Sequence, residues 1–228
     1  MKEYITIEHR YEEEYIINKS RFIGYACPVT TQEQAVEFIN EIRKKHSDAT
    51  HNVYAYQIRT PEYSRYSDDG EPQGTAGMPV LDVIKKSGLT DICIVVTRYF
   101  GGILLGAGGL VRAYSHSASI AAQGANIIRM SPCSVLKVVC DYGFYGRLST
   151  LVPEFGGIIE NTDFGENVTM EFRLQSKDEE AFRKELTEAS FGRVTAEKTG
   201  EKFILKEIQT SYTKKLELRD KFFERMGV

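Results

Sequence analysis

Apolar and polar positions along this chain fall into short runs with two different periods, and those runs predict most of its elements. Residues 13–18 and 21–27 read as short strands joined at Asn18-Lys19-Ser20. Thr31 then fits a helix N-cap, with Gln34 three residues on completing a capping box. Ala35, Phe38, Ile39 and Ile42 form an apolar stripe at helical spacing, and Lys44 and Lys45 suit the negative end of the helix dipole. The aromatic, β-branched run 52–58 predicts a strand, and residues 59–74 a loop. Thr75 can cap a helix running to about Lys86, with Gly88 as its stop. Residues 92–97 are almost continuously apolar, which suits a central strand covered on both faces. Residues 101–109 read as loop, followed by a helix from about Leu110 to Gln123. Its small residues, among them Ala113, Ser117, Ala118, Ala121 and Ala122, let it lie close on a sheet.

Ser131-Pro132 marks a plausible boundary. Beyond it the order is strand (135–141), helix (144–155), strand (157–162), strand (167–174), helix (177–190), strand (193–199), the β-α-β-β-α-β order of a ferredoxin-like unit. Ser176 and Glu179 suggest a second capping box over the buried stripe Phe182, Leu186 and Ala189. From Lys214 to Met226 the tail has Leu218, Phe222 and Met226 at helical spacing, which suggests an amphipathic helix that docks on the body or on a partner.

Composition narrows the function classes. At 228 residues, with 42% hydrophobic and 27% charged residues, the chain is that of an ordinary soluble protein of one or two domains. Its net charge is −3. Up to Cys133 there are 14 basic and 15 acidic residues, net −1; the remainder has 15 and 17, net −2. Neither part is a polybasic arm, although a local basic patch is compatible with both. Cys27, Cys93, Cys133 and Cys140 lack close pairing, which points to buried reduced thiols in a cytoplasmic protein. No signal peptide or membrane-length apolar run occurs.

The candidate chemistry is concentrated in glycine. Nine of the 19 glycines lie between Gly70 and Gly109, eight of them in two runs that flank the apolar strand. Such a concentration suits positive φ angles or a surface where backbone approaches a partner closely. Several features there admit two readings each. Asp68, Asp69 and Glu71 suit either a divalent cation or a turn whose carboxylates accept amides or pair with Arg98. Thr75-Ala76-Gly77 at a helix start suits an anion or ordinary capping. Arg112, placed in a helix's first turn where positive charge is unfavourable, serves an anionic ligand or an internal carboxylate. Tyr4, Tyr54, Tyr56, Tyr66 and Tyr99, with Phe100, suit base stacking beside the arginines or a core. Gly106-x-Gly108 lacks the third glycine of the dinucleotide fingerprint, since position 111 is Val, and no Walker lysine follows. His9, His46, His51 and His116 are scattered, so neither a catalytic triad nor a metal set can be assigned.

Four segments closely resemble the YigZ/IMPACT family. They are Lys19-Ser20-Arg21-Phe22; Asp68-Asp69-Gly70-Glu71-Pro72-x-Gly74-Thr75-Ala76-Gly77-x-Pro79; Val95-Val96-Thr97-Arg98-Tyr99-Phe100-Gly101-Gly102; and Leu105-Gly106-x-Gly108-Gly109-Leu110-x-Arg112-Ala113-Tyr114. The resemblance implies an α+β fold. Residues 1–131 would form an α/β sandwich like the second domain of a small-subunit ribosomal protein, shared with elongation factor G's fourth domain and some small-molecule kinases. Residues 132–206 would form a ferredoxin-like β-α-β-β-α-β domain similar to elongation factor G's fifth, and 207–228 an extension that departs from the family.

The resemblance also implies a non-catalytic, translation-linked regulator in the cytoplasm, binding RNA, a ribosomal partner or a translation factor. No cofactor, metal or membrane is expected. The expected binding surface is Ser20, Arg21, Asp68, Asp69, Glu71, Thr75, Arg98, Tyr99, Gly101, Gly102, Gly106, Gly108, Gly109 and Arg112. A phosphate- or nucleotide-dependent enzyme of the kinase-like fold is the competing reading, against which Gly108-Gly109-Leu110 offers no hydroxyl; a peptidase has less support still. The eukaryotic branch restrains an amino-acid-starvation kinase and carries an N-terminal partner-binding domain. Nothing here matches that domain, so that role is not carried over.

Overall fold

The computed structural model describes residues 2–205, so the tail helix expected over 214–226 lies outside the described residues. The chain divides into two compact units, Tyr4–Arg129 and a second that begins at Met130.

The first unit is built on a five-stranded antiparallel sheet. Its strands are β2 (Tyr11–Ile17), β3 (Ser20–Pro28), β4 (His51–Ile58), β5 (Tyr63–Ser67) and β6 (Ile92–Tyr99), in the spatial order β2-β3-β6-β4-β5. A short strand β1 (Tyr4–Ile7) precedes them. Three helices cover the sheet: α1 (Gln32–Lys45), α2 (Gly77–Lys86) and α3 (Gly106–Gly124). Residues of β6 alternate between two cores. Ile92, Ile94 and Val96 pack with α2 and α3, whereas Cys93 and Val95 pack with Phe38, Ile39 and Ile42 of α1. This three-layer arrangement explains why β6, the middle strand, is buried on both faces and reads as one apolar run.

Local signals account for the helix ends. Thr31 caps α1 through Oγ1, which accepts the Gln34 amide at 3.3 Å. The Gln34 side chain turns back to Thr30 rather than Thr31, accepting its amide at 2.7 Å, so the capping box is offset by one residue. Gly88 ends α2 with φ +66°. Strand β5 falls inside the expected 59–74 loop: its sequence Tyr-Ser-Arg-Tyr-Ser is polar because it is a partly exposed edge. Helix α3 starts at Gly106, four residues before the expected Leu110, so Gly106, Gly108 and Gly109 are helical and not loop.

The second unit takes its strands from β7 (Ile127–Cys140), β8 (Ile158–Phe164), β9 (Val168–Gln175) and β10 (Ala196–Leu205), with helices α4 (Tyr142–Glu154) and α5 (Glu179–Ala189). Antiparallel pairs β8–β9, β9–β7 and β7–β10 give the order β10-β7-β9-β8, that of a ferredoxin-like fold. Leu136, Val138, Met170 and Phe172 from the sheet meet Leu148, Leu151, Phe182 and Leu186 from the helices. Phe182 packs edge-on against Phe172, with ring centroids 5.2 Å apart. Ser131 and Pro132 lie inside β7, where Pro132 pairs with Phe203 of β10 and its carbonyl accepts the Ser176 amide at 3.0 Å. Ser176 therefore does not cap α5. Asp178 holds the N-cap position, and the Glu179 carboxylate accepts the Ser134 hydroxyl at 2.5 Å. All four cysteines are free and buried. Among the described residues no helix is long and apolar enough to cross a membrane.

Close contact between α3 and β3 rests on Gly24, where a Cβ would overlap the Ser117 carbonyl oxygen on the helix. We expect Gly24→Ala to push α3 off the sheet and cost about 1–3 kcal/mol, read as a lower urea midpoint at unchanged slope. A midpoint equal to the parent's would show that the helix and strand can separate freely.

Candidate functional site

The acidic loop after β5 is held by its own carboxylates. Asp68 accepts three backbone amides, those of Gly74 at 2.9 Å, Ala76 at 3.1 Å and Gly77 at 2.8 Å. It is the real cap of α2, whereas the Thr75 hydroxyl donates to the Pro72 carbonyl at 2.7 Å. The amides expected to cradle an external anion thus already face a carboxylate. Asp69, at φ +46°, accepts the Asn52 amide at 2.6 Å and the Arg43 guanidinium at 2.9 Å. Glu71 is buried and accepts from Arg98 at 2.6 Å and from the Tyr114 hydroxyl at 2.7 Å. Burial first, and then the neighbouring carboxylate, push the Tyr114 phenol up, so it stays protonated and donating. His51 donates from Nδ1 to the Asp69 carbonyl at 2.8 Å and turns Nε2 toward Glu71, 3.8 Å away.

All three carboxylates serve the loop itself. Among the described residues, no group of three or more His, Cys, Asp or Glu is disposed to hold a metal ion. Arg98, expected on the binding surface, is 5% exposed, with its guanidinium 5.4 Å from the ring centres of both Phe22 and Phe100. A cation desolvated to that extent needs its carboxylate partner and has no access to an outside anion. Ser20, Glu71, Thr75 and Gly109 are likewise buried and cannot meet a partner.

The accessible part of the expected surface lies around the start of α3. Asn18 and Lys19 form a two-residue turn, both with positive φ, that leaves Lys19 exposed at the hairpin tip. Gly101 packs directly on that turn: a Cβ there would overlap the Lys19 carbonyl carbon, and the Gly101 amide donates to Ser20 Oγ at 3.2 Å. Gly102 has φ +82° and is exposed. Helix α3 then begins with no capping side chain at Leu105 and no acidic residue in its first turn. Gly106, Ala107 and Gly108 are exposed, so their amides meet solvent. Arg112 is exposed and makes no ion pair among the described residues. Its Nη1 lies 3.8 Å from the point where a Gly108 Cβ would stand, which places the guanidinium back over the helix N-terminus. Arg21 is exposed, pairs with Glu14 and lies 5.7 Å from the ring centre of Tyr99.

Tyr99 ends a directional chain that sequence spacing did not indicate. Its hydroxyl donates to Asp48 at 3.0 Å and so must accept from His46 Nδ1 at 2.8 Å. The Nε2 of His46 is then the acceptor for the Tyr25 hydroxyl at 2.6 Å. Burial, then the charges of Lys45 and Arg21, hold His46 below the ordinary histidine value, and burial does the same for His116. His51, His46, Tyr25 and Arg43 were not legible as site residues, because their partners are distant in sequence.

Comparison with known proteins places these features. Residues 18–122, which carry every residue of the expected surface, match the Impact N-terminal domain. Residues 138–193 match a family described as a domain of unknown function, DUF1949. The IMPACT family member YvyE of Bacillus subtilis is 40% identical over 191 residues, 83% of this chain and 88% of that protein. The chain belongs to the IMPACT family. YigZ of Escherichia coli, another member, is 36% identical over 77% of this chain and 88% of its own. The match to the IMPACT protein of Xenopus laevis is 36% identical over 92 residues, 39% of this chain but only 30% of the frog protein. A crystal structure described as that of a hypothetical protein superposes with a TM-score of 0.56 at 31% identity, covering 88% of this chain and 98% of that one.

Two tests follow from the buried network. Glu71→Gln leaves the Arg98 charge uncompensated and should cost about 3–5 kcal/mol of unfolding free energy, whereas the apolar triple variant E71L/R98M/Y114F should cost less than that single change. A triple variant less stable than Glu71→Gln would mean that the charges stabilise the fold beyond their desolvation cost. For the histidines, the unfolded chain takes up a proton before the folded one does. Their contribution to stability is whole above the ordinary value of 6.5 and drains as pH falls below it. His46→Gln should therefore flatten the loss of thermal midpoint between about pH 7 and about pH 5. An unchanged pH profile would remove His46 from that account.

Proposed function

We propose that this IMPACT-family chain is a non-catalytic, translation-linked regulator in the cytoplasm that grips RNA phosphate, on the ribosome or on a ribosome-bound factor, at the start of α3. The observation that carries this reading is the juxtaposition of two positive features on one exposed spot. The uncapped N-terminus of a 19-residue helix presents free amides and the positive end of its dipole. The Arg112 guanidinium, free of ion pairs among the described residues, lies over the same turn. Small residues there let a phosphate approach the backbone, and Lys19 and Arg21 stand on the neighbouring hairpin as further cations. Leu104, 86% exposed, and Ile103 beside the turn supply apolar contact for a base or a protein surface. Arg98 plays no part in contact: it holds the loops in place from within.

With few cations involved, binding of this kind is electrostatic, local and moderate in salt dependence. Arg112→Glu should weaken co-sedimentation with ribosomes, or binding to ribosomal RNA fragments, and lower the slope of log affinity against log salt by about 1. Arg112→Lys should restore much of both. Identical binding and slope for the parent and Arg112→Glu across the salt range would exclude this contact point.

A further inference from the structure

The two edges of the first unit's sheet differ in how they are guarded. Edge strands expose unpaired backbone groups, and proteins commonly blunt them with charge, proline or bulges. Strand β2 carries three consecutive exposed carboxylates, Glu12, Glu13 and Glu14. The opposite edge, β5, has no carboxylate, no proline and an unbroken register with β4 from Tyr63 to Ser67. Apart from that ladder, Tyr63–Tyr66 make no backbone hydrogen bond among the described residues.

The side chains along β5 are suited to recognition. On one face, Arg65 is exposed beside the phenols of Tyr54, Tyr56 and Tyr63, with Tyr56 and Tyr63 rings 6.0 Å apart. No carboxylate pairs with Arg65 among the described residues, whereas the exposed Arg10, Arg21 and Lys45 of this unit each have one. The Tyr56 hydroxyl beneath it is buried and, among the described residues, makes no hydrogen bond of good geometry. On the other face Tyr66 is 39% exposed; Tyr63 is 40% exposed.

We propose that β5 is a docking edge for an extended acidic peptide, which adds as a sixth strand and sets a carboxylate against Arg65. The ladder of alternating N–H and C=O groups matches another polypeptide strand and no nucleic acid backbone. The uncompensated guanidinium selects an acidic residue, and the flanking tyrosines give its neighbours apolar contact. A symmetric pair formed by β5 of a second copy is disfavoured, because Arg65 is the middle residue of the strand and would face its own counterpart. This site is separate from the start of α3, and it stands or falls without that reading.

The test uses the full chain and a short, end-blocked peptide of alternating glutamate and valine. Binding followed by fluorescence anisotropy and by amide NMR shifts should perturb Tyr63–Ser67 and their β4 partners. Arg65→Glu should weaken it about tenfold, a difference near 1.4 kcal/mol, with an unchanged thermal midpoint. Arg65→Gln provides a milder variant should the reversal unfold the edge. The same peptide with lysine for glutamate should bind more weakly than the acidic one. Four results would overturn the proposal: no binding at millimolar peptide, equal binding of the acidic and basic peptides, shifts centred away from β5, or the same shifts produced by oligouridylate. Sedimentation showing self-association through β5 would overturn it too, in favour of a second copy.

Discussion

The buried pair of Glu71 and Arg98 is the contact on which the arrangement of the first unit depends. It joins three segments that are far apart in the chain: the acidic loop, the end of the central strand β6 and, through Tyr114, the middle of α3. Burying two charges is expensive, and the cost is met only if each finds good partners. Glu71 has two donors. Arg98 lies between two aromatic rings but leaves Nε without an acceptor. A network with so little slack fixes geometry more than it adds stability. Once Glu71 is set, the rest of the loop closes by its own carboxylates, Asp68 on the α2 amides and Asp69 on Asn52 and Arg43.

That closure separates the two guanidiniums that sequence places side by side. Arg98 is at the end of a central strand and turns inward. Arg112 is on the outer side of a helix that presents Ala113, Tyr114 and Ser117 to the sheet. The glycines divide in the same way. Gly101 is needed because the Lys19 backbone occupies the place of a side chain, while Gly106 and Gly108 leave an open approach to helix amides. What stays accessible of the expected surface includes one bare helix end and Arg112, which makes no ion pair among the described residues.

On the open face of the second unit's sheet, Glu160 pairs with both Arg173 and Lys202. Arg112 and Arg65, by contrast, pair with no carboxylate among the described residues.

Much of the fold was legible in residues taken alone, because helix stripes, caps and apolar strands depend on neighbours within a few positions. The stripe of α1, the central strand β6, the stop at Gly88 and the order of elements after Pro132 are all local patterns. Strand β5 was missed because a partly exposed edge has no hydrophobic period to read, and the start of α3 because the five glycines of 101–109 resemble a loop by composition. The site was less legible. Family motifs located its residues, but not which of them point outward. Only the folded chain decides that Asp68 caps a helix begun nine residues later, that Glu71 reaches across 27 and 43 residues to Arg98 and Tyr114, and that Arg112 is left without an ion pair among the described residues. Burial and pairing depend on which distant segments meet, and periodicity carries no record of that.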